Sequence, residues 1–347
     1  MGKVAFLTPH FNRHDLFPAT LASMQSQTFE DWECWLVDDG SAPESFQALE
    51  QLCAGEPRVQ LLRRDREPKG ACTCRNIGAA ETQAKYVISL DTDDIIEPFC
   101  LQQRVDAMER NPQLDFAIFP SLMFEKEPHD LGLWWNVDTG EDLLERQFRQ
   151  DAICQGTGVL WTTAGKGNIG MWSESLALWQ DIDLFFRAFI QGYRFQKFFD
   201  LPPDLHNRCN HASLSRANFY DRQKQESRLQ IVRNAVELLE AHNMSAKRRW
   251  AKFMAAEIAM GNASARHFDL SATMADFAWR HEVITRQEFA RLNRVRQVFR
   301  YRLYRMPGMK AWLRKVEASF ACTSLLGCVP VGMETKYGAL HAETMPL

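Results

Sequence analysis

No apolar run in the 347 residues approaches the roughly 20 needed to cross a bilayer; the longest, such as "GKVAFLTPHF" and "YVISL", are strand-sized. One lysine precedes Val4–Leu7 and no small-residue cleavage site follows, so no secretory signal is read and a cytoplasmic location is expected. Neither sign of charge dominates. A net charge of -3 with 24% charged and 46% hydrophobic residues describes an ordinary globular chain and argues against a nucleic-acid-coating or disordered one. The nine cysteines are odd in number and irregularly spaced, which speaks for reduced thiols rather than a disulfide framework. Cys72 and Cys74 stand too close for a C-x-x-C pair and read as core filler. Internal repeats and low-complexity tracts are also missing.

What is present is an alternation. Short apolar runs at Val4–Thr8, Cys34–Val37, Val59–Leu62 and Tyr86–Leu90 are separated by longer stretches with helical spacing, as in "DLFPATLASMQSQTFEDW" and "GACTCRNIGAAETQAK". That pattern predicts a mainly parallel sheet covered by helices. A helix over "PFCLQQRVDAMERNP" and a strand over "LDFAIFPSLMF" continue it. Residues 130–170 keep no steady period and read as loops or short strands over a site. The spacing then predicts a helix in "SLALWQDIDLFFRAFIQGYRF", stopped at Gly192. From Asp221 onward come charged helical segments, including a capping box at Thr285–Glu288. The boundary is placed near 216–222, giving an α/β domain over 1–218 and a helical C-terminal region over 219–347.

Ligands of an open parallel sheet gather at the carboxyl ends of its strands. Two acidic clusters fall there: Asp38 and Asp39 in "CWLVDDGS", and Asp91, Asp93 and Asp94 in "VISLDTDD". A single Asp after a strand is usually a cap or turn residue. Carboxylates this crowded repel one another unless a cation shares them, and a hard ion such as Mg²⁺ or Mn²⁺ commonly binds such carboxylates together with substrate phosphates.

Five motifs, "TPHFNR" (Thr8–Arg13), "QTFEDWECWLVDDGS" (Gln27–Ser41), "CRNIGAA" (Cys74–Ala80), "LDTDD" (Leu90–Asp94) and "WQDIDLFFRAFIQGYRF" (Trp179–Phe195), resemble those of family 2 glycosyltransferases in order and approximate spacing. The resemblance covers about the first 215 residues. It implies a GT-A fold, a Rossmann-like α/β sheet, and inverting transfer of a sugar from a nucleotide diphosphate donor to an acceptor hydroxyl, in surface glycan or glycolipid synthesis. By position it implies that Pro9, Phe11 and Asp39 flank the nucleotide, that Arg75 lies near it, and that Asp91 and Asp93 contact the nucleotide sugar. It further assigns Asp93, Asp94 and His211 to a metal, Mn²⁺ or Mg²⁺, and the role of catalytic base to Asp181. The family's Glu-Asp pair is Gln180-Asp181 here, so the first acid is missing. Asp183 is read equally as a first-turn carboxylate favoured by the helix dipole or as a catalytic group.

Other enzyme classes fit less well. A nucleotidyltransferase would want a Gly-rich, Lys- or Arg-bearing loop after the first strand, and "TPHFNRHD" has no glycine. A dinucleotide oxidoreductase would need a G-x-G-x-x-G motif. A nucleotide-sugar-binding protein without turnover stays open because of Gln180. "TAGKGNIG" lacks the Ser or Thr of a phosphate loop after Lys166 and reads as a flexible acceptor-side loop. Among Trp134, Trp135, Trp161, Trp172 and Trp179, one or two at most are expected to stack on sugar. His206, Cys209 and His211 have no second ligand pair in sequence, so zinc is not expected there. Arg291–Lys315 carries nine Lys or Arg and no acid, interleaved with Phe299, Tyr301, Tyr304 and Trp312. It reads either as a solvated helix pair broken at Pro307-Gly308 or, favoured over that, as a peripheral contact with anionic lipid on the inner membrane face, suited to a lipid-linked or glycan acceptor, with no nucleic-acid partner.

Overall fold

The computed structural model describes residues 2–151, 154–209 and 218–320, together with the backbone of Val329–Pro330. The expected strands form as β1 (Val4–His10), β2 (Trp32–Asp38), β3 (Val59–Arg63) and β4 (Tyr86–Ser89). Their apolar side chains are buried almost without interruption in β1, β2 and β4, as strands covered on both faces must be. β5 (Ile95–Ile96) follows the second acidic cluster.

The run "LDFAIFPSLMF" is not one strand. It divides at Phe119-Pro120 into β6 (Phe116–Ile118) and β7 (Ser121–Phe124), which lie in different sheets. Proline has no N–H to give to a ladder, so the chain leaves one sheet at that point and enters the next. β8 (Leu133–Trp134), β9 (Val159–Thr162), β10 (Phe195–Lys197), β11 (Leu205–Arg208) and β12 (Val329–Pro330) complete the set. The large sheet has the order β10-β6-β9-β4-β1-β2-β3 and is parallel except where β9 runs against β4 and β6. A smaller sheet, β12-β8-β7-β11-β5, stands beside it.

Helices α1 (Phe17–Gln25), α2 (Pro43–Cys53), α3 (Ala71–Glu81) and α4 (Cys100–Arg110) are the crossovers. α1, α2 and α4 bury Leu21, Leu49 and Leu101 in the core on one side of the sheet; α3 buries Cys72 in the core on the other. Cys74, on the same helix, is fully buried too, so both cysteines fill space as expected. Short helices α5 (Leu143–Phe148) and α6 (Thr163–Asn168) precede α7 (Gln180–Ile190). "TAGKGNIG" is therefore not a loop. Its first six residues are α6, Thr162 caps it by accepting from Gly165 N–H at 3.0 Å, and Lys166 is buried.

From α8 (Arg222–Ala241) through α9 (Lys252–Ser264), α10 (Phe268–Arg280), α11 (Arg286–Arg300) and α12 (Met309–Phe320) the described chain is helical. The capping box at Thr285 and Glu288 opens α11, and the basic segment breaks between α11 and α12 around Pro307-Gly308. This region shares one core with α5 and α7: Phe148, Phe186 and Ile190 pack with Val232, Met254, Met274 and Phe320. Arg228 of α8 is fully buried, reaches Glu257, and lies 4.2 Å over the ring of Trp179, the residue just before α7. The helical region thereby braces the start of α7. No described helix is long and apolar enough to cross a membrane.

Candidate active site

The carboxyl ends of β1, β2 and β4 and the N-termini of α3 and α7 come together: His10 meets Asp38, Gly70 N–H meets Asp39, Arg75 pairs with Asp91, and Asp181 feels the charges of both. Pro9 sits in β1 beyond the last β1–β4 pair, Leu7 with Ser89, so its missing donor costs no ladder bond on that side. Phe11 follows, with the Lys69 ammonium 3.6 Å from its ring centroid.

At the end of β2 the two acids face different tasks. Asp38 accepts from His10 Nδ1 at 3.1 Å, from the N–H groups of Gly40 and Ser41 at 3.1 and 3.0 Å, and from the Ser41 hydroxyl. Burial pushes its carboxyl up, but the hydrogen bonds from His10 and Ser41 outweigh that, and the net direction is down. His10 Nε2 accepts the Arg13 N–H at 3.2 Å, a role that leaves the ring proton on Nδ1, facing Asp38. Asp38 is thus a fastener for the β1 and β2 loops. Asp39 uses Oδ1 to accept from Arg64 Nε at 2.7 Å and Gly70 N–H at 3.0 Å. It enters the cleft already neutralised by an arginine that sequence reasoning did not pair with it.

The cluster after β4 is less satisfied. Asp91 pairs with Arg75 at 2.5 Å, and the Arg75 guanidinium stacks 4.6 Å over Trp172. Asp93 is pushed up to about 6, first by burial and then by the neighbouring Asp91 charge, with Arg13 and Arg208 pulling the other way. Asp94 is raised as well, by burial first and then by both neighbours. Its carboxylate accepts from Thr157 Oγ1 at 3.2 Å, Asn207 Nδ2 at 3.0 Å and the Arg208 N–H at 3.1 Å. Both oxygens of Asp94 are thus engaged inside the protein. Asp94 thereby also braces the loop that carries Asp93. His211 lies outside the described residues.

Asp181 occupies the first turn of α7 and accepts its neighbour Ile182's N–H at 2.9 Å. Burial raises its carboxyl above the usual range; Ile182 and Arg75 hold it down, and Asp91 adds to the rise. Its charge thus interacts with Arg75 and Asp91, and the structure brings together the three residues that the motifs singled out separately. Asp183 is spoken for: it accepts from Ser173 Oγ at 2.6 Å and from Arg187 Nε at 3.0 Å. Gln180 donates to the Leu176 carbonyl at 3.0 Å.

Several contacts at the site had no sequence signal. Asn76, next to Arg75, exchanges hydrogen bonds with the backbone of Trp172 at 2.9 and 3.1 Å and donates to Glu174 at 2.7 Å, while Arg66 grips the same glutamate. These contacts close about 96 residues of chain and hold Trp172 over Arg75. Trp161 and Trp172 are buried, as packing tryptophans are; Trp172 also stands 4.2 Å from the Lys166 ammonium. The Lys166 amine finds no hydrogen-bond partner and is depressed well below the ordinary lysine range, mainly by burial and then by Arg187 and Arg75.

A mainly parallel sheet with an acidic cleft at its strand ends and a carboxylate opening a late helix defines the GT-A class of α/β fold. Residues 6–160 match the family model described as glycosyl transferase family 2. A Rickettsia bellii uncharacterized glycosyltransferase is 30% identical over 110 residues, 32% of this chain and 16% of the relative. A Bacillus subtilis glycosyltransferase named for teichuronic acid biosynthesis, TuaG, is 28% identical over 128 residues, 37% of this chain and 50% of that protein. The chain thus spans half or less of the length of these two relatives. Among solved structures, S. aureus TarS 1-349 in complex with UDP-GlcNAc superposes with a TM-score of 0.66 at 15% identity, over 92% of this chain and 91% of that 1-349 chain. A mannosyltransferase of Pyrobaculum calidifontis in complex with GDP-Man and Mn²⁺ gives 0.52 at 14% identity, over 99% and 88%. At these identities the likeness speaks for the fold.

Proposed function

We propose that the protein is an inverting glycosyltransferase that moves a sugar from a nucleoside diphosphate sugar to a hydroxyl of a surface glycan or glycolipid. The observation that carries this is the half-buried Asp181 at the start of α7, its carboxyl raised by desolvation and electrostatically linked to Arg75 and Asp91. A base with a raised carboxyl is a better proton acceptor at neutral pH than an ordinary aspartate. As the acceptor oxygen attacks the anomeric carbon, its proton passes to Asp181, the bond from that carbon to the diphosphate breaks, and the nucleoside diphosphate leaves. Pro9 and Phe11 flank the base, Asp39 accepts a hydrogen bond from the nucleoside, and Arg75 steadies Asp91 beside the donor. In the family reading the division at 218/219 separates this catalytic unit from a helical region that supports α7.

The cluster after β4 fits a hard divalent cation, because Asp91 and Asp93 repel and Asp93 has no matching positive partner at hydrogen-bond distance among those described. Asp93, with Asp91 beside it and His211 as the further proposed ligand, would hold Mn²⁺ or Mg²⁺. The ion, when bound, would offset the charge of the leaving diphosphate. That UDP-GlcNAc and GDP-Man are the ligands of the two structural neighbours supports a nucleotide-sugar donor here.

Asp181→Asn should lower transfer by about a hundredfold to ten-thousandfold, measured as product released from a panel of nucleotide sugars, with donor affinity unchanged. Asp183→Asn should leave chemistry closer to wild type and act on stability instead. A collapse in Asp183→Asn with normal transfer by Asp181→Asn would move the base. Binding of donor without any transfer would favour the binding-protein alternative.

Arg291–Lys315 is the proposed membrane contact. Tyr301 and Met306, 65% and 54% exposed, project from its break among the arginines. Sedimentation with anionic liposomes that falls with salt and with charge reversal here checks it; salt-insensitive or absent sedimentation contradicts it.

A further inference from the structure

Zinc was set aside in sequence because His206 has no partner pair nearby, yet the fold supplies one from distant positions. His206 Nε2 lies 2.7 Å from Glu97 Oε1, and His129 Nε2 lies 3.1 Å from the same oxygen. The three candidate ligand atoms all fall within 4.8 Å of one another. Three separate elements deliver them: Glu97 directly follows β5, His206 sits in β11, and His129 lies on the connection between β7 and β8. His206 is 1% exposed, stands edge-on to Phe124, and its Nδ1 has no hydrogen-bond partner. The His129 side chain is 62% exposed, so the cluster opens to solvent on one side.

The site is distinct from the acidic cleft. Side chains alternate across a strand, and Asn207, the residue after His206, reaches Asp94. His206 therefore projects from the other face of the small sheet. The donor sets differ as well: the cleft offers carboxylate oxygens, which suit Mg²⁺ or Mn²⁺, whereas two imidazoles and a carboxylate suit a zinc-class ion with a fourth position left for water.

We propose that Glu97, His129 and His206 form a second cation site, for an ion of the zinc class, which clamps the three elements of the small sheet whose opposite face holds Asp94. Such an ion binds the folded chain and not the unfolded one, so it raises the unfolding temperature.

The test uses full-length Asp93→Asn protein without nucleotide, so that the cleft is removed as a competing site. Titration with ZnCl₂ should show one ion per chain and an upward shift of the unfolding temperature. Adding His129→Asn should weaken zinc by at least about tenfold and abolish the shift. His129 is exposed and has a left-handed backbone, φ 71°, which Asn tolerates, so this variant keeps the fold. MgCl₂ should give no comparable binding. Zinc affinity indifferent to His129→Asn, equal binding of Mg²⁺, or no zinc bound at all by Asp93→Asn would overturn the proposal.

Discussion

The acidic ends of β2 and β4 look alike in sequence and differ in how the protein has prepared them. At β2, every described carboxylate charge meets built-in partners: Asp38 has His10 and Ser41, Asp39 has Arg64 and Gly70. At β4, among the described residues only Asp91 has an arginine at ion-pair distance, while Asp93 is raised by burial and Asp91, and Asp94 by burial, Asp93 and Asp91. The first end is a finished hydrogen-bonding surface, which on the proposed function receives the nucleoside. The second end holds charge in reserve, and a cation with its diphosphate would discharge it. Each end also divides its acids between a fastener, Asp38 or Asp94, and a residue left nearer the cleft. The same division recurs on α7, where Asp183 is tied to Arg187 and Asp181 is not.

The sharpest way to break the comparison is to remove a fastener. Asp94→Ala leaves Thr157, Asn207 and the Arg208 N–H without their acceptor in a buried place, and should cost about 3 kcal/mol or more in denaturant unfolding. Asp91→Ala, on the half-exposed neighbour, should cost well under half of that. Equal losses would mean that the fastener and cleft roles are not separate.

A smaller effect comes from pH. For Asp93 the folded carboxyl is raised from 3.8 to about 6, so the native state holds its proton more tightly than the unfolded chain does. The stability this gives is full below about 4 and is lost as pH rises through 6; Asp94, also raised, acts in the same direction. Asp38, lowered instead, contributes stability that is present at neutral pH and lost as pH falls below 3.8. In the absence of divalent ions, Asp93→Asn should therefore be more stable than wild type at pH 7.5 by on the order of 1 kcal/mol and indistinguishable at pH 4. Thermal unfolding at the two pH values checks it. A gain that is larger at pH 4 would reverse the assignment.

Much of this frame was legible because strands buried on both faces read as continuous apolar runs, and their ends then announce the acids that follow. The crossover helices, the Thr285 capping box and the Gly192 stop were readable for similar local reasons. What was not legible depends on distance in the chain or on very short elements. The small sheet consists of strands of two to four residues, too short to show a period, and the Pro120 break hid one of them inside an apparent longer strand. Arg64 with Asp39, Asn76 with Trp172 and Glu97 with His206 are pairings that only the fold creates. Asp94 could not be told from Asp93 because two adjacent acids of one motif point in ways set by β11, more than 110 residues later. The packing of the helical region onto α7 was hidden too, since periodicity reports an apolar face and not what covers it.

The central claim is that the β4 end is a cation-dependent diphosphate site while the β2 end is complete by itself. Isothermal titration of UDP and of GDP into the full-length protein, with and without Mn²⁺, tests it most directly when wild type is set beside Asp93→Asn. The account predicts that one nucleotide binds wild type at least about tenfold more tightly with Mn²⁺ and that Asp93→Asn binds weakly and equally in both conditions. Affinity that ignores Mn²⁺ in wild type, or an undiminished Mn²⁺ effect in Asp93→Asn, would contradict it.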